Sequence, residues 1–144
     1  MPLDISVMER IKNKEGLIDI FGRWPSFHDA EILSIYLDRD GEGGPFLDAK
    51  IHIFEMTNQI DEKGFYVQKH HTLVTFRFAR VIMGEVKWFN HQNVIACMSI
   101  EMVEPEQNHG CSFNVSIESS YGCETSFGCG EVIVRNVEPF ESAA

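Results

Sequence analysis

The run from Trp24 to Asp29 groups residue types that general acid–base catalysis uses. His28 and Asp29 are adjacent, and Ser26 lies just before them. A histidine and a carboxylate can orient each other, but catalysis also requires a nucleophile and a group that stabilises negative charge. Ser26 has no glycine-framed nucleophile elbow around it. We therefore favour a structural role in which the pair satisfies buried backbone groups, and a small hydrolase-like enzyme that uses His28 and Asp29 is the alternative.

Two further groups of residues could hold a metal ion or a phosphate. His70 and His71 are adjacent, so on a strand they face opposite sides, and we interpret one as exposed and the other as packed. Cys123 and Cys129 lie in the glycine-rich stretch 122–130, but no two of the four cysteines have C-x-x-C spacing. The stretch also lacks the features of a phosphate-binding loop, so we interpret it as a hairpin tip. We predict no metal and no cofactor, and the alternative is a metal site formed by Cys123, Cys129 and one histidine.

Hydrophobic periodicity predicts one helix followed by strands. Ile5, Met8 and Ile11 recur at helical spacing, and Gly16 is expected to end or interrupt that helix. The alternation of apolar and polar residues that is typical of half-buried strands recurs in later segments: 46–56, 70–81, 94–103, 111–119 and 131–137. Helices do not alternate with strands. We therefore predict an α+β, mostly β, fold, in which an antiparallel sheet or sandwich of six to eight strands carries an N-terminal helix.

The run from Trp24 to Asp29 is expected to form a buried corner between the helix and the first strand. Pro25 fixes its own φ and disfavours helix at Trp24, and the aromatic side chains are large enough to anchor a turn by burial. The next segment, Ala30 to Leu37, is apolar on both faces and predicts a strand that is covered on both sides. The residues that we expect to define this corner are Trp24, Pro25, Phe27, His28 and Asp29.

The composition is that of an ordinary globular protein. Of the 144 residues, 44% are hydrophobic and 24% are charged, so residues 1–144 can bury a core as a single domain. No apolar run approaches the roughly 20 residues that cross a bilayer. The start, Met1-Pro2-Leu3-Asp4, lacks a basic segment followed by an apolar one, so we expect no secretory signal, a cytoplasmic location and reduced cysteines. The final Ser142-Ala143-Ala144 is expected to be frayed.

Negative charge is concentrated in the C-terminal third. The formal net charge is −10, and from Asn90 onward eight glutamates accompany a single base, Arg135, so the last 55 residues carry −7. Such a field repels nucleic-acid phosphates and attracts a basic partner. The bases Arg77, Arg80 and Lys87 are scattered, and the aromatic residues near them are expected in the core. We therefore predict binding neither to nucleic acid nor to a membrane. A surface that only maintains solubility is the alternative.

The run from Phe21 to Glu31, with the strand that ends at Leu37-Asp38-Arg39, resembles the signature of the Imm50 family of bacterial immunity proteins. The resemblance implies a small cytoplasmic protein of a polymorphic toxin system, which neutralises a cognate toxin by binding it. It implies no catalytic activity, and no toxin-contact residues are carried over from it.

The charge pattern supports the same function independently. A secreted nuclease toxin must be basic to hold phosphates, and an acidic inhibitor can cover that site and compete with nucleic acid for it. We therefore expect the toxin-facing surface to lie in the acidic C-terminal third. Its residues would be Glu101, Glu104, Glu106, Glu118 and Glu124. A ligand-binding module or a homo-oligomeric structural module is the remaining alternative.

Overall fold

β-Strands make up most of the protein. The computed structural model describes residues 3–141, so the final Ser142-Ala143-Ala144, which we expected to be frayed, lies outside the described residues. Two short helices, α1 (Ile5–Met8) and α2 (Glu15–Phe21), come first. The strands are β1 (Glu31–Gly41), β2 (Gly44–Ile60), β3 (Tyr66–Ala79), β4 (Ile82–Lys87), β5 (Val94–Met102), β6 (Phe113–Tyr121), β7 (Glu124–Cys129) and β8 (Glu131–Pro139). The prediction of a mostly β fold with an N-terminal helix is confirmed.

The N-terminal helix is shorter than its periodicity predicts. α1 ends at Met8, because the chain becomes extended at Lys12 and forms a parallel bridge with Ile133 of β8. Gly16 lies inside α2, so the prediction that it ends or interrupts a helix is wrong. α2 ends instead at Gly22, whose φ of 77° is one that glycine adopts without strain. Within residues 3–141, no helix has the length and apolar composition to span a membrane.

Within the described residues, eight strands join one antiparallel sheet in the order β4-β7-β6-β5-β1-β2-β3-β8. The antiparallel arrangement agrees with the prediction. Between β5 and β1, the described residues supply one register pair, Glu31 opposite Val94. This narrow junction divides the sheet. We call β1, β2, β3 and β8 the first half-sheet, and β4, β5, β6 and β7 the second half-sheet.

Two short connections carry the chain between the half-sheets. β3 passes into β4 through Arg80 and Val81, and β7 passes into β8 through Gly130. Arg80 has a φ of 52°, and the Gly130 N–H donates to the carbonyl of Ala79 at 2.8 Å. A Cβ atom at position 130 would overlap the Arg80 guanidinium. These tight bends turn the half-sheets toward each other, as strand switches do at the corners of packed sheets.

Aromatic rings connect the corner to both half-sheets. The ring of Phe27 lies 5.8 Å from that of Trp24 and 5.7 Å from that of Phe76 on β3. Phe76 lies 5.8 Å from Phe78, which meets Phe127 of β7 edge-on at 4.8 Å. Because Phe78 and Phe127 belong to different half-sheets, the two inner faces share one core.

β1 is not covered on both faces, contrary to the sequence prediction. Ile32 is buried, whereas Leu33, Tyr36 and Leu37 are exposed. A register irregularity between Ile32 and Ser34 leaves Leu33 without a regular partner on β2. β5 pairs with β1 at Glu31 and then diverges from it. The C-terminal end of β1 therefore extends beyond the second half-sheet, which does not cover it.

The glycine-rich stretch 122–130 is mainly a strand, so its interpretation as a hairpin tip is wrong. Gly122 lies in the turn before β7, and β7 then continues to Cys129. Thr125, Phe127 and Cys129 are buried and alternate with less buried residues. This period-two pattern is present in the sequence, but the intervening glycines and serines obscure it.

Removal of the Phe27 ring is expected to destabilise the protein strongly. Phe27 is 5% exposed and contacts Trp24 and Phe76. Phe27→Ala therefore leaves a cavity and should lower the free energy of unfolding by about 3–5 kcal/mol, measured by urea denaturation. The control is Phe65→Ala, since Phe65 is exposed, and it should change that free energy by less than about 0.5 kcal/mol. Equal losses in the two variants would contradict the anchoring role of Phe27.

Candidate functional site

The corner between α2 and β1 has a buried apolar side and an exposed polar side. Pro25 and Phe27 are buried, Trp24 is half-buried, and His28 and Asp29 are exposed. Asp29 has a φ of 68°, in the left-handed region that aspartate tolerates better than most residues. The corner therefore places its only histidine–carboxylate pair at the surface, while its apolar side chains complete the core.

His28 and Asp29 both contact the backbone of β5. His28 Nδ1 lies 2.9 Å from the carbonyl oxygen of Ala96, and since a carbonyl only accepts, Nδ1 carries the hydrogen of this bond. The Asp29 N–H donates to the carbonyl of Ile95 at 2.9 Å. Asp29 Oδ1 lies 3.5 Å from His28 Nε2. Among residues 3–141, no hydroxyl or thiol forms a hydrogen bond with this Nε2. Two open clefts of about 420 Å³ and 290 Å³ flank the corner, and Ser26 lines both. The pair thus holds the corner to β5 and is not assembled with a nucleophile.

His70 and His71 have different partners, and the φ of 58° at His70 departs from regular strand geometry. His70 Nδ1 lies 2.9 Å from Glu55 Oε2, and His71 Nδ1 lies 2.9 Å from His52 Nε2. Both histidines are exposed, so the interpretation of one as packed is wrong. The ring of Phe140 stacks on His52 at 4.0 Å. Burial lowers the pKa of His52 below its ordinary value, and the neighbouring His71 lowers this pKa further.

The lowered pKa of His52 predicts a loss of stability on mild acidification. As pH falls through about 6.5, the unfolded chain protonates this histidine before the folded chain does. The unfolded state then binds more protons, so the free energy of unfolding decreases. Thermal denaturation from about pH 7.5 to about pH 5.5 should show a smaller decrease in Tm for His52→Gln than for the unsubstituted protein. Parallel Tm curves for the two proteins would rule out this contribution.

Cys123 and Cys129 are too far apart to share one metal ion. Cys123 precedes β7 and Cys129 ends it, so the two lie about 20 Å apart along an extended chain and cannot ligate one ion. Among residues 3–141, no three histidine, cysteine or acidic side chains are grouped to hold a metal ion. Cys111, Cys123 and Cys129 are buried thiols, and Cys97 is half-buried. Burial raises the pKa of Cys129 to about 12 and raises the pKa of Cys111 and of Cys123 as well.

One thiol is expected to react quickly in the native protein. Thiolate is the reactive form, and burial with a raised pKa suppresses it at Cys111, Cys123 and Cys129. Titration with a chromogenic disulfide should therefore show one fast thiol, and all four after denaturation. Cys97→Ser should remove the fast phase. Persistence of the fast phase in Cys97→Ser would assign it to a different cysteine.

The five glutamates predicted to face a partner lie on neighbouring strands and one loop. Glu101 is on β5, Glu118 on β6 and Glu124 on β7. Glu104 and Glu106 follow β5 in a loop that contains a short 3-10 helix. The register places Glu118 and Glu124 toward the β6–β7 turn and Glu101 toward the opposite end of β5, about 13 Å away. The structure therefore gathers the five into two groups at opposite ends of the second half-sheet.

Glu101, Glu118 and Glu124 belong to the outer face of the second half-sheet, because the alternate residues point into the core. On β6, Val115 and Ile117 are buried between exposed or half-buried neighbours. The other residues of this outer face are mostly small: Cys97, Ser99, Asn114, Ser116 and Ser126. A shallow groove of about 490 Å³ lies beside Gly84 and Gly128. The sequence alone did not identify these serines as functional candidates, although the period-two alternation along β6 predicts which side of the sheet its residues face.

None of the five glutamates forms an ion pair within residues 3–141. Glu131 differs, because it binds Lys12 and Arg80, whose hydrogen bonds lower its pKa. On β4, Glu85 pairs with Lys87 at 3.4 Å. These five carboxylates are therefore accessible to an external cation, whereas Glu131 is already bound by Lys12 and Arg80.

The aromatic residues near the scattered bases are not all in the core, contrary to expectation. Phe76 and Phe78 are fully buried. Trp88 and Phe89, which follow Lys87, are exposed. The reason is that β4 is a short terminal strand and the chain leaves the sheet after Lys87, so the next two side chains have no inner face to occupy.

The family model of immunity protein 50 (Imm50) matches residues 13–140. The chain belongs to this family. The resemblance carried by the run from Phe21 to Glu31 is thereby confirmed over most of the chain. No curated protein and no solved structure matches this chain. Family membership implies an immunity protein of a toxin system whose partner is a cognate toxin, and it suggests a non-enzymatic role.

Proposed function

We propose that this immunity protein neutralises a basic toxin in the bacterial cytoplasm by covering the toxin's cationic surface. The contact surface is the outer face of the second half-sheet together with the loop that follows β5. The observation that carries the proposal is that Glu101, Glu104, Glu106, Glu118 and Glu124 form no ion pair with any other of the described residues 3–141. A surface of unneutralised carboxylates attracts and orients a cationic protein.

The strands beneath this surface make it rigid. β5 pairs with β6 over most of its length, and β6 pairs with β7. Their inner side chains, including Val115, Ile117 and Phe127, are buried. A surface that is ordered before binding loses little conformational entropy on association, so more of the interaction energy contributes to affinity.

A nuclease is the toxin chemistry that best fits this surface. Nucleases hold phosphates with lysine and arginine, so their active sites carry positive charge. A carboxylate surface can occupy such a site and exclude nucleic acid from it. Inhibition in this mode needs no chemical step in the immunity protein, in agreement with a His28–Asp29 pair that contacts backbone.

The first test of this function is protection of cells. The toxin domain is expected at the C-terminal end of the protein encoded next to this gene, and its expression alone should arrest growth. Co-expression of the immunity protein should restore growth, and the purified immunity protein should displace labelled DNA or RNA from the toxin domain. A toxin domain that still arrests growth, or that binds the immunity protein and nucleic acid simultaneously, would refute the proposal.

Charge reversal at Glu104 and Glu106 tests the electrostatic contribution. Glu104→Lys with Glu106→Lys should lower the association rate with that toxin domain about tenfold at low salt, and the effect should shrink as salt screens it. The matched control is Glu42→Lys with Glu62→Lys, which makes the same change in net charge at exposed turns of the first half-sheet. Equal decreases in the association rate for the two double variants would mean that this rate depends on net charge alone and not on the position of the glutamates.

A further inference from the structure

Three exposed aromatic side chains lie at the same end of the second half-sheet. Trp88 is 67% exposed, Phe89 is 46% exposed, and Tyr121 is 56% exposed. Trp88 follows Lys87, which is paired in the sheet with Glu124 at the start of β7. Tyr121 ends β6 just before the turn into β7. We call Trp88, Phe89 and Tyr121 the aromatic cluster.

A buried asparagine fixes the loop that carries two of these rings. Asn93 is 2% exposed, and its Oδ1 accepts the N–H groups of Asn90 and Cys123 at 3.0 Å and 3.1 Å. Its Nδ2 donates to the carbonyls of Ile32 and Asn90 at 3.2 Å and 2.7 Å. Asn90 Nδ2 donates in turn to the carbonyl of Trp88 at 2.9 Å. The loop is therefore tied to both the β6–β7 turn and β1, so the exposure of Trp88 reflects a fixed backbone.

The backbone at Trp88 is also unfavourable for a bulky side chain. Its φ is 59°, in the left-handed region that large residues rarely occupy. A residue held in such a conformation costs free energy and persists where the surrounding structure enforces it, most often at functional sites. Exposed tryptophan and tyrosine are also the residues most enriched at the energetic centres of protein interfaces.

The charged groups around the cluster indicate what it binds. The N–H and hydroxyl of Ser119 contact Glu124 Oε1 at 3.4 Å and 3.5 Å, which holds this carboxylate beside the β6–β7 turn. Glu118 precedes Ser119 and is exposed. The Lys87 ammonium lies 5.5 Å from the centre of the Trp88 ring, so this ring already accepts a cation. Aromatic faces beside carboxylates suit a guanidinium, which stacks on rings and bonds carboxylates in one geometry.

We propose that the aromatic cluster, with Glu118 and Glu124, is a docking surface for an arginine-bearing segment of a basic protein partner. The inference deepens the proposed function and rests on it for the identity of that partner as the toxin. Glu101, Glu104 and Glu106, at the other end of the half-sheet, accelerate encounter, while the cluster slows dissociation.

Charge makes a second copy of this chain a poor occupant. A symmetric dimer through the cluster would bring together Glu118 and Glu124 from both copies, and each chain carries a net charge of −10. Like charges placed opposite each other at an interface oppose association. A cationic partner removes that repulsion and adds stacking contacts with Trp88 and Tyr121.

The first test uses tetra-arginine as the probe and needs no toxin. Backbone NMR shifts in the full chain at physiological salt should concentrate at residues 85–89 and 116–124, and tetra-lysine should bind more weakly. Trp88→Ala with Tyr121→Ala should abolish these shifts, although the net charge is unchanged. The matched control is Phe65→Ala with Tyr66→Ala, which removes two exposed rings from the first half-sheet. Shifts that are spread over all acidic residues, or that survive in Trp88→Ala with Tyr121→Ala, would overturn the proposal.

The second test uses the toxin domain encoded next to the gene. Trp88→Ala with Tyr121→Ala should raise its dissociation rate about tenfold or more and leave the association rate nearly unchanged. Equal urea midpoints for this variant and its control would exclude unfolding as the cause.

Tight binding with an unchanged dissociation rate would overturn the docking surface and leave the proposed function intact. If the unsubstituted protein does not bind the toxin domain, the proposed function fails, and the tetra-arginine shifts still decide the docking surface. A dimer that is lost on Trp88→Ala with Tyr121→Ala would overturn the proposal in favour of self-association.

Discussion

The contact between Phe78 and Phe127 joins the two half-sheets across the core, where the hydrogen-bonded junction between β1 and β5 is narrow. One register pair, Glu31 with Val94, joins β1 to β5. The rings of Phe78 and Phe127 instead meet across the core at 4.8 Å. Burial of these large aromatic side chains contributes more than the few backbone hydrogen bonds at this junction. The orientation of the outer face therefore depends on side chains that lie entirely behind it.

This arrangement separates the residues that stabilise the protein from those that contact a partner. Along β6 the buried side chains are Phe113, Val115 and Ile117, and the alternate positions face solvent. Substitutions at exposed positions away from caps and ion pairs usually change stability little. The outer face can therefore vary in charge and shape without a cost to the core, which suits a protein that must match one particular partner.

Much of this fold is readable from the sequence, and the failures have physical causes. Alternation of apolar and polar residues in β3 and β6 predicts their strands, because the apolar residues of one face enter the core. Gly128 and its polar neighbours obscure the strand pattern of β7. The sequence of β1 predicts burial on both faces, because hydrophobic periodicity does not show where the neighbouring strand β5 diverges from it. The glutamates are evident in the sequence, but whether each of them pairs with a base depends on long-range contacts. The exposure of Trp88 depends on Asn93, whose four hydrogen bonds leave no sequence signal.

The bridge between Lys12 and Ile133 makes the two margins of the sheet unequal. Lys12 uses its N–H and carbonyl to cap the middle of β8, whereas β4 lies at the opposite margin with Ile82 and Val86 exposed. Head-to-tail polymerisation of a sheet protein requires two compatible margins on every molecule. Because Lys12 occupies the middle of β8, a full-length strand cannot add at that margin, so strand addition at β4 is not continued from the other side of the molecule.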